Sequence, residues 1–143
     1  LRIALTATGE FDESVQFPIP WTYAPDVAAI VVAALDRGVS GETYLSFTSA
    51  ADVGSMAMFC NRAMELAGLP QRVDEITRAQ LAADPSLQDA IGPSLVALVE
   101  RDFPEPYFTN ELTRERLGHA SKTLDEALVE TIAWMRAEGL LEA

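Results

Sequence analysis

Thr109-Asn110-Glu111-Leu112-Thr113-Arg114-Glu115-Arg116-Leu117-Gly118-His119 runs on to Lys122-Thr123-Leu124-Asp125-Glu126-Ala127-Leu128 and Thr131-Ile132-Ala133-Trp134. Thr109 or Asn110 is placed to cap a short helix over Leu112 to Leu117, and Gly118 to stop it. Thr123-Leu124-Asp125-Glu126 then reads as a capping box, where hydroxyl and carboxylate each satisfy a backbone N–H at a helix start. Leu124, Ala127, Leu128, Thr131, Ile132 and Met135 follow as one apolar stripe, closed by Gly139. Such a stripe has to be covered by another layer of structure. The end of the chain is thus helical, and built to lie against something.

Upstream, Ser86 to Glu100 reads as a helix that Gly92-Pro93 splits or kinks, and Thr77 as the cap of a short helix. Val73 to Ile76 has the composition of a short strand, and Gly41 to Phe47 alternates as another. Ser49-Ala50-Ala51-Asp52 resembles a capping box for a helix carrying Val53, Met56, Ala57, Cys60, Ala63, Met64 and Ala67 on one face, ended by Gly68-Leu69-Pro70. Pro25 and Asp26 suit the first turn of a helix that reaches about Arg37, with Gly38 as its left-handed stop. The apolar run Val27 to Leu35 within it implies burial on more than one side. Leu1 to Leu5 opens as a β-like stretch ending at Thr8-Gly9, followed by a loop rich in Asp, Glu, Pro and Phe. Helices outnumber strands, and the strand candidates are too few and short for an independent sheet. Apolar elements with nothing to pack against imply a missing partner surface.

Composition narrows the function classes. The 143 residues carry 22 acids against Lys122 and nine arginines, a formal charge of −12, which argues against nucleic acid or an anionic membrane as partner. A hydrophobic fraction of 49% with 22% charged residues is that of a folded domain. Cys60 is the one cysteine, so no internal disulfide forms and a reducing, cytoplasmic setting is expected. The longest apolar run falls well short of the roughly 20 residues a membrane helix needs. The chain begins with Leu1 rather than Met and reads as a piece of a longer protein.

Four segments carry a resemblance: Leu1-Arg2-Ile3 with Thr8-Gly9, Trp21-Thr22-Tyr23-Ala24-Pro25-Asp26-Val27-Ala28, Gly41-Glu42-Thr43-Tyr44, and the tail quoted above. In this order they resemble the C-terminal portion of an extended short-chain dehydrogenase/reductase, of the NAD-dependent epimerase/dehydratase kind. The resemblance implies an α/β, Rossmann-type parent, of which this chain is the mostly helical end with a few short strands. Residues 1–48 would finish the Rossmann domain and its substrate loop, and residues 49–143 would form the helical substrate-binding subdomain. Ile3 stands where the family usually has proline.

The family's chemistry needs a glycine-rich turn for the dinucleotide pyrophosphate and a tyrosine with a lysine four residues on. Neither occurs here: no G-x-G-x-x-G is present, and Tyr23, Tyr44 and Tyr107 are followed at that spacing by Val27, Thr48 and Glu111. No catalytic and no metal-binding residue is therefore assigned. What the resemblance leaves to this part is contact with the nicotinamide end of NAD or NADP through Ile3, Leu5 and Thr6. It also implies contact with a small-molecule substrate through Phe17, Trp21 and Tyr107. The parent would transfer a hydride between the nicotinamide and a carbonyl or alcohol carbon. The alternatives are a sugar-nucleotide epimerase or dehydratase and a non-catalytic helical binding module; a homodimer is compatible with each. Arg101-Asp102 falls near the arginine that sugar-nucleotide members use for a diphosphate, but Phe103-Pro104 breaks the usual pattern. His119, the single histidine, reads as packing, and Asp26 as a first-turn acid.

Overall fold

Short capped helices dominate the computed structural model, which describes residues 2–48, 50–101 and 109–141. In chain order the elements are α1 (Arg2–Ala7), β1 (Glu13–Val15), α2 (Ala24–Arg37), α3 (Met56–Ala67), β2 (Asp74–Ile76), α4 (Arg78–Ala83), α5 (Pro85–Ile91), α6 (Pro93–Glu100), α7 (Glu111–Leu117) and α8 (Leu124–Ala137). They divide into two units: Leu1–Ile19, Gly54–Phe103 and Leu128–Ala143 form the first, and Pro20–Val53 with Pro104–Ala127 the second.

In the first unit the opening segment is α1, not the expected strand. Its end explains why. Gly9 is left-handed at φ 78, its N–H donates to Thr6 O at 3.0 Å, and Glu10 N–H donates to Leu5 O at 2.8 Å. That pair of bonds is the Schellman stop of a helix, and Ala4, Leu5 and Ala7 favour the helical state. Ile3 and Thr6, one turn apart, are both buried, and α1 packs on α3.

The helix α3 starts later than its expected capping box. Ala50–Asp52 form a single 3₁₀ turn, and the cap is Ser55, whose Oγ accepts Met58 N–H at 3.1 Å. Ser49 lies outside the described residues. The apolar face is as expected: Ala57, Cys60, Ala63, Met64 and Ala67 are buried, and Gly68 ends the helix at φ 71.

The only sheet among the described residues is the parallel pair β1–β2, with Ser14 opposite Glu75. The Val73–Ile76 strand was legible, but its partner lies in the segment read as a loop. Asn61 positions β2: its side-chain amide donates to Val73 O at 3.0 Å and accepts Val73 N–H at 2.8 Å. Val15 then meets Leu81 and Val99, flanked by Phe17, Ile76, Leu87, Ile91 and Leu95. Thr77 and Gln80 close the expected cap of α4 as a full box, and Gly92-Pro93 separates α5 from α6. Leu128, Ile132 and Met135 of α8 are buried in line with the stripe, and Arg136 Nη2 donates to Ala67 O at 2.7 Å.

In the second unit α2 packs on α7, with Ile30, Ala33 and Leu117 buried together beside Ala34 and Tyr44. Gly38 ends α2 in an ordinary extended conformation (φ −67), which corrects the left-handed stop. Glycine is needed there because a Cβ would run into the carbonyl of Ala34, which receives the Gly38 N–H at 2.9 Å.

Gly41 to Phe47 is extended but is not a strand, which corrects the second strand expectation. Side chains hold it where a neighbouring strand would. Thr113 Oγ1 donates to Leu45 O at 2.8 Å, Thr22 Oγ1 to Ser46 O at 2.7 Å, and Asn110 Nδ2 to Phe47 O and Thr48 O at 3.0 and 2.8 Å. Asn110 occupies the N-cap position of α7, yet its side chain is spent on this segment rather than on the cap. Thr123 and Glu126 form the expected box at the start of α8. No helix is long and apolar enough to cross a membrane among the described residues.

Candidate functional site

Ile3, Leu5 and Thr6 share α1. Ile3 and Thr6 point into the α1–α3 contact, and Thr6 Oγ1 donates to Arg2 O at 2.9 Å. Thr6 also hydrogen-bonds Cys60, the buried cysteine of α3. Burial pushes the Cys60 thiol up, against the opposing pull of the Thr6 hydrogen bond and the Arg2 guanidinium. Leu5 is half-buried, and its carbonyl takes the N–H groups of Glu10 and Phe11. Phe17 is half-buried and packs on the Val15–Leu81–Val99 cluster of the same unit. Trp21, in the second unit, is half-buried, and its carbonyl accepts Thr48 N–H at 2.8 Å. Tyr107 lies outside the described residues, as does Asp102; Arg101 is exposed, and its carbonyl accepts from Arg78.

A further constellation sits in the second unit. Asp26, in the first turn of α2, is only 7% exposed. Its Oδ2 accepts the backbone N–H of Lys122 at 3.0 Å, and its Oδ1 lies 3.3 Å from Nε2 of His119. The histidine contact is off the hydrogen-bonding line, so it is a charge contact at most. Lys122 in turn places its ammonium 5.3 Å from the ring centre of Tyr23, at cation–π range. Sequence reading had Asp26 and His119 as two separate structural residues. Nothing local could join them, because 96 positions separate Asp26 from Lys122. Chemically the group is a buried carboxylate satisfied by a backbone N–H, which anchors the α7–α8 connection. No group of three or more potential metal ligands occurs among the described residues.

The geometry can be set beside known proteins. No family model matches the chain, and no curated protein matches it in sequence. Solved structures do. The crystal structure of gox2253 superposes with a TM-score of 0.74 at 20% identity, over 98% of this chain and 44% of that one. A nucleoside-diphosphate-sugar epimerase from Pseudomonas aeruginosa superposes with a TM-score of 0.71 at 26% identity, over 99% of this chain and 43% of that one. The chain shares the fold of part of these proteins. It spans less than half the length of each, and its small parallel sheet and helices correspond to a partial Rossmann-like fold. The likeness to the epimerase is consistent with the epimerase/dehydratase superfamily.

A nicotinamide dinucleotide is the cofactor such a fold suggests, and α1 is the place to test the fit. Thr6 has no exposed surface, Ile3 is 5% exposed, and the Leu5 carbonyl is already engaged twice. With the Ile3 and Thr6 side chains and the Leu5 carbonyl so committed, these three residues do not by themselves make a dinucleotide cradle.

Proposed function

We infer that this chain is the C-terminal, substrate-side part of an NAD(P)-dependent oxidoreductase or epimerase/dehydratase of the extended short-chain type. The observation that carries the reading is the superposition of nearly the whole chain on less than half of a nucleoside-diphosphate-sugar epimerase, at 26% identity. In that reading the glycine-rich turn and the tyrosine–lysine pair lie in the part of the fold that this chain does not span. By the resemblance, Phe17, Trp21 and Tyr107 are the residues of this chain that would meet the substrate, and Ile3, Leu5 and Thr6, already packed and hydrogen-bonded around α1, would meet the nicotinamide only beside residues this chain does not span. The parent interconverts a carbonyl and an alcohol carbon by hydride transfer, in the cytoplasm.

The same likeness favours a second reading of the substrate, a nucleotide sugar, over a simple carbonyl compound. Arg101 is the residue of this chain nearest in sequence to a diphosphate-binding role, and the Phe103-Pro104 that follows is the feature against it.

The test uses the polypeptide translated from the intact gene. Its mass is compared with 15.5 kDa, and NAD and NADP are titrated by calorimetry. A heavier species that binds one of them and oxidises or epimerises a nucleotide sugar supports the second reading; turnover of a simple ketone supports the first. A protein that binds neither nucleotide overturns both and leaves a helical binding module.

A further inference from the structure

An imidazole and a carboxylate face each other inside the second unit. His119 Nε2 lies 3.3 Å from Asp26 Oδ1, with 18% and 9% of the two side chains exposed. Nε2 is itself buried and has no hydrogen-bond partner among the described residues, because the two groups sit off the bonding line. A neutral imidazole carries one proton, and held on Nδ1 it leaves a lone pair turned toward the carboxylate. The imidazolium donates from both nitrogens and always offers Nε2–H to Oδ1. In so poorly solvated a place that bond is charge-assisted and stronger than its neutral counterpart. The last torsion of a histidine is soft, so a small turn of the ring brings the N–H onto the line.

The charges around the pair come from each element packed there. Lys122, in the same connection, donates its backbone N–H to Asp26 Oδ2 and holds its ammonium over the Tyr23 ring. Arg37, at the far end of α2, brings its guanidinium against Gly118. Asp52 Oδ2 accepts Leu124 N–H at 3.3 Å. Arg114, Glu115 and Arg116 of α7 are exposed, and Arg116 is 3.6 Å from Glu42. Lys122 and Arg37 oppose a proton on His119, but the group in contact with the ring nitrogen is Asp26, and it favours one. His119 is also the only histidine of the chain, the side chain whose ordinary charge change falls between about pH 5 and 8.

We propose that His119 and Asp26 form a proton-operated latch: protonation of the imidazole closes Nε2–H on Oδ1 and fastens the α7–α8 connection to the first turn of α2. With the ring neutral, the Lys122 N–H still holds the carboxylate and the histidine lets go. Closing the latch binds a proton, so its contribution is full on the acid side of the ordinary histidine range and is lost as pH rises through it. Trp21 and Tyr23 lead directly into that turn, so the segment before α2 is held more firmly in acid than in base. The latch uses this chain's own residues and does not depend on the function proposed above.

Hydrogen exchange at the Lys122 amide reads the latch, since that N–H is bonded to the same carboxylate. It is followed in the polypeptide translated from the intact gene at about pH 5 and about pH 8, as protection relative to an unstructured peptide at the same pH. The Val73 amide, bonded to Asn61 in the first unit, is the control. Protection at Lys122 should be about tenfold greater at the acid pH, the ratio one charge-assisted hydrogen bond supports, while Val73 stays level. His119→Gln should abolish the difference. Equal protection at both pH values overturns the proposal, and so does a difference that survives in His119→Gln. A change shared by Lys122 and Val73 reports overall stability and also overturns it. Where the Lys122 amide exchanges too fast to follow, urea unfolding of His119→Gln, Asp26→Asn and the double variant gives the coupling of the pair at each pH. Coupling confined to the acid pH supports the latch, and coupling that is equal at both, or absent from both, overturns it.

Discussion

Lys122 donates its backbone N–H to the buried carboxylate of Asp26 at 3.0 Å, across 96 positions of sequence. This bond ties the α7–α8 connection to the first turn of α2, and it makes Asp26 more than an acid near a helix dipole. Asp26→Ala leaves the Lys122 N–H without its acceptor, at a cost of about 1–3 kcal/mol. Asp26→Asn keeps an acceptor oxygen in place and should lose less. Urea unfolding of the two variants checks the order.

Two glycines that end helices should fail for different reasons. At Gly68 the backbone is left-handed at φ 71 and nothing lies near an added Cβ, so Gly68→Ala costs the αL penalty alone, about 1 kcal/mol. Gly68→Asn should recover part of that. At Gly38 the dihedral suits any residue, but a Cβ meets the carbonyl of Ala34. Gly38→Asn should therefore do no better than Gly38→Ala, as thermal melts of the four variants would show.

Met64 has no exposed surface and belongs to the inner face of α3. Met64→Ala should cost roughly 2–5 kcal/mol, the range for a buried methionine replaced by a smaller side chain. Trp134 is 56% exposed on α8, and Trp134→Ala should stay within about 0.5 kcal/mol. A reversal of that order in chemical denaturation would refute the burial pattern.

Burial holds the Cys60 thiol above its ordinary value. The folded protein should react with a thiol reagent at pH 8 far more slowly than the same chain in denaturant. A rate equal to that of the unfolded chain would show that α3 does not cover the sulfur.

Asp84 caps α5, and its carboxyl is held below the ordinary range, chiefly by the Ser86 hydroxyl and then by the Ser86 backbone N–H. A lowered folded value means that the cap stabilises above the unfolded carboxylate range and fades as acid protonates it. The stability gap between the protein and Asp84→Ala should be full at neutral pH and close as pH falls below about 4. Unfolding measured at pH 7 and pH 3 checks the sign.

What was legible in the sequence was local. The Thr77–Gln80 and Thr123–Glu126 boxes, the Gly68 and Gly118 stops and the Gly92-Pro93 break all work within one helical turn, and each stands as read. The errors come where a distant contact decides. Arg2–Ala7 has a strand-like opening, yet burial against α3 and the Gly9 stop make it a helix. Gly41 to Phe47 alternates like a strand but has only side chains beside it. β1 carries Glu13 and Ser14, so a strand held mainly by its partner β2 left little hydrophobic signal. Of the candidate site, neither the packing of Phe17 on Leu81 and Val99 nor the bond from Thr48 to the Trp21 carbonyl follows from neighbours in sequence. Nor does the link between Asp26 and the residues around His119, because it exists only once the chain is folded.

The first unit draws α1, α3 and the later turns of α8 into one body, joined in part by the bond from Arg136 to Ala67. During synthesis, at about 5–20 residues per second, α1 and α3 emerge long before α8 is made. For those seconds the Ala67 carbonyl at the end of α3 lacks its Arg136 partner, so this is when a chaperone has the most to bind and a protease the most to cut. A stop codon anywhere before Arg136 would make that brief exposure permanent.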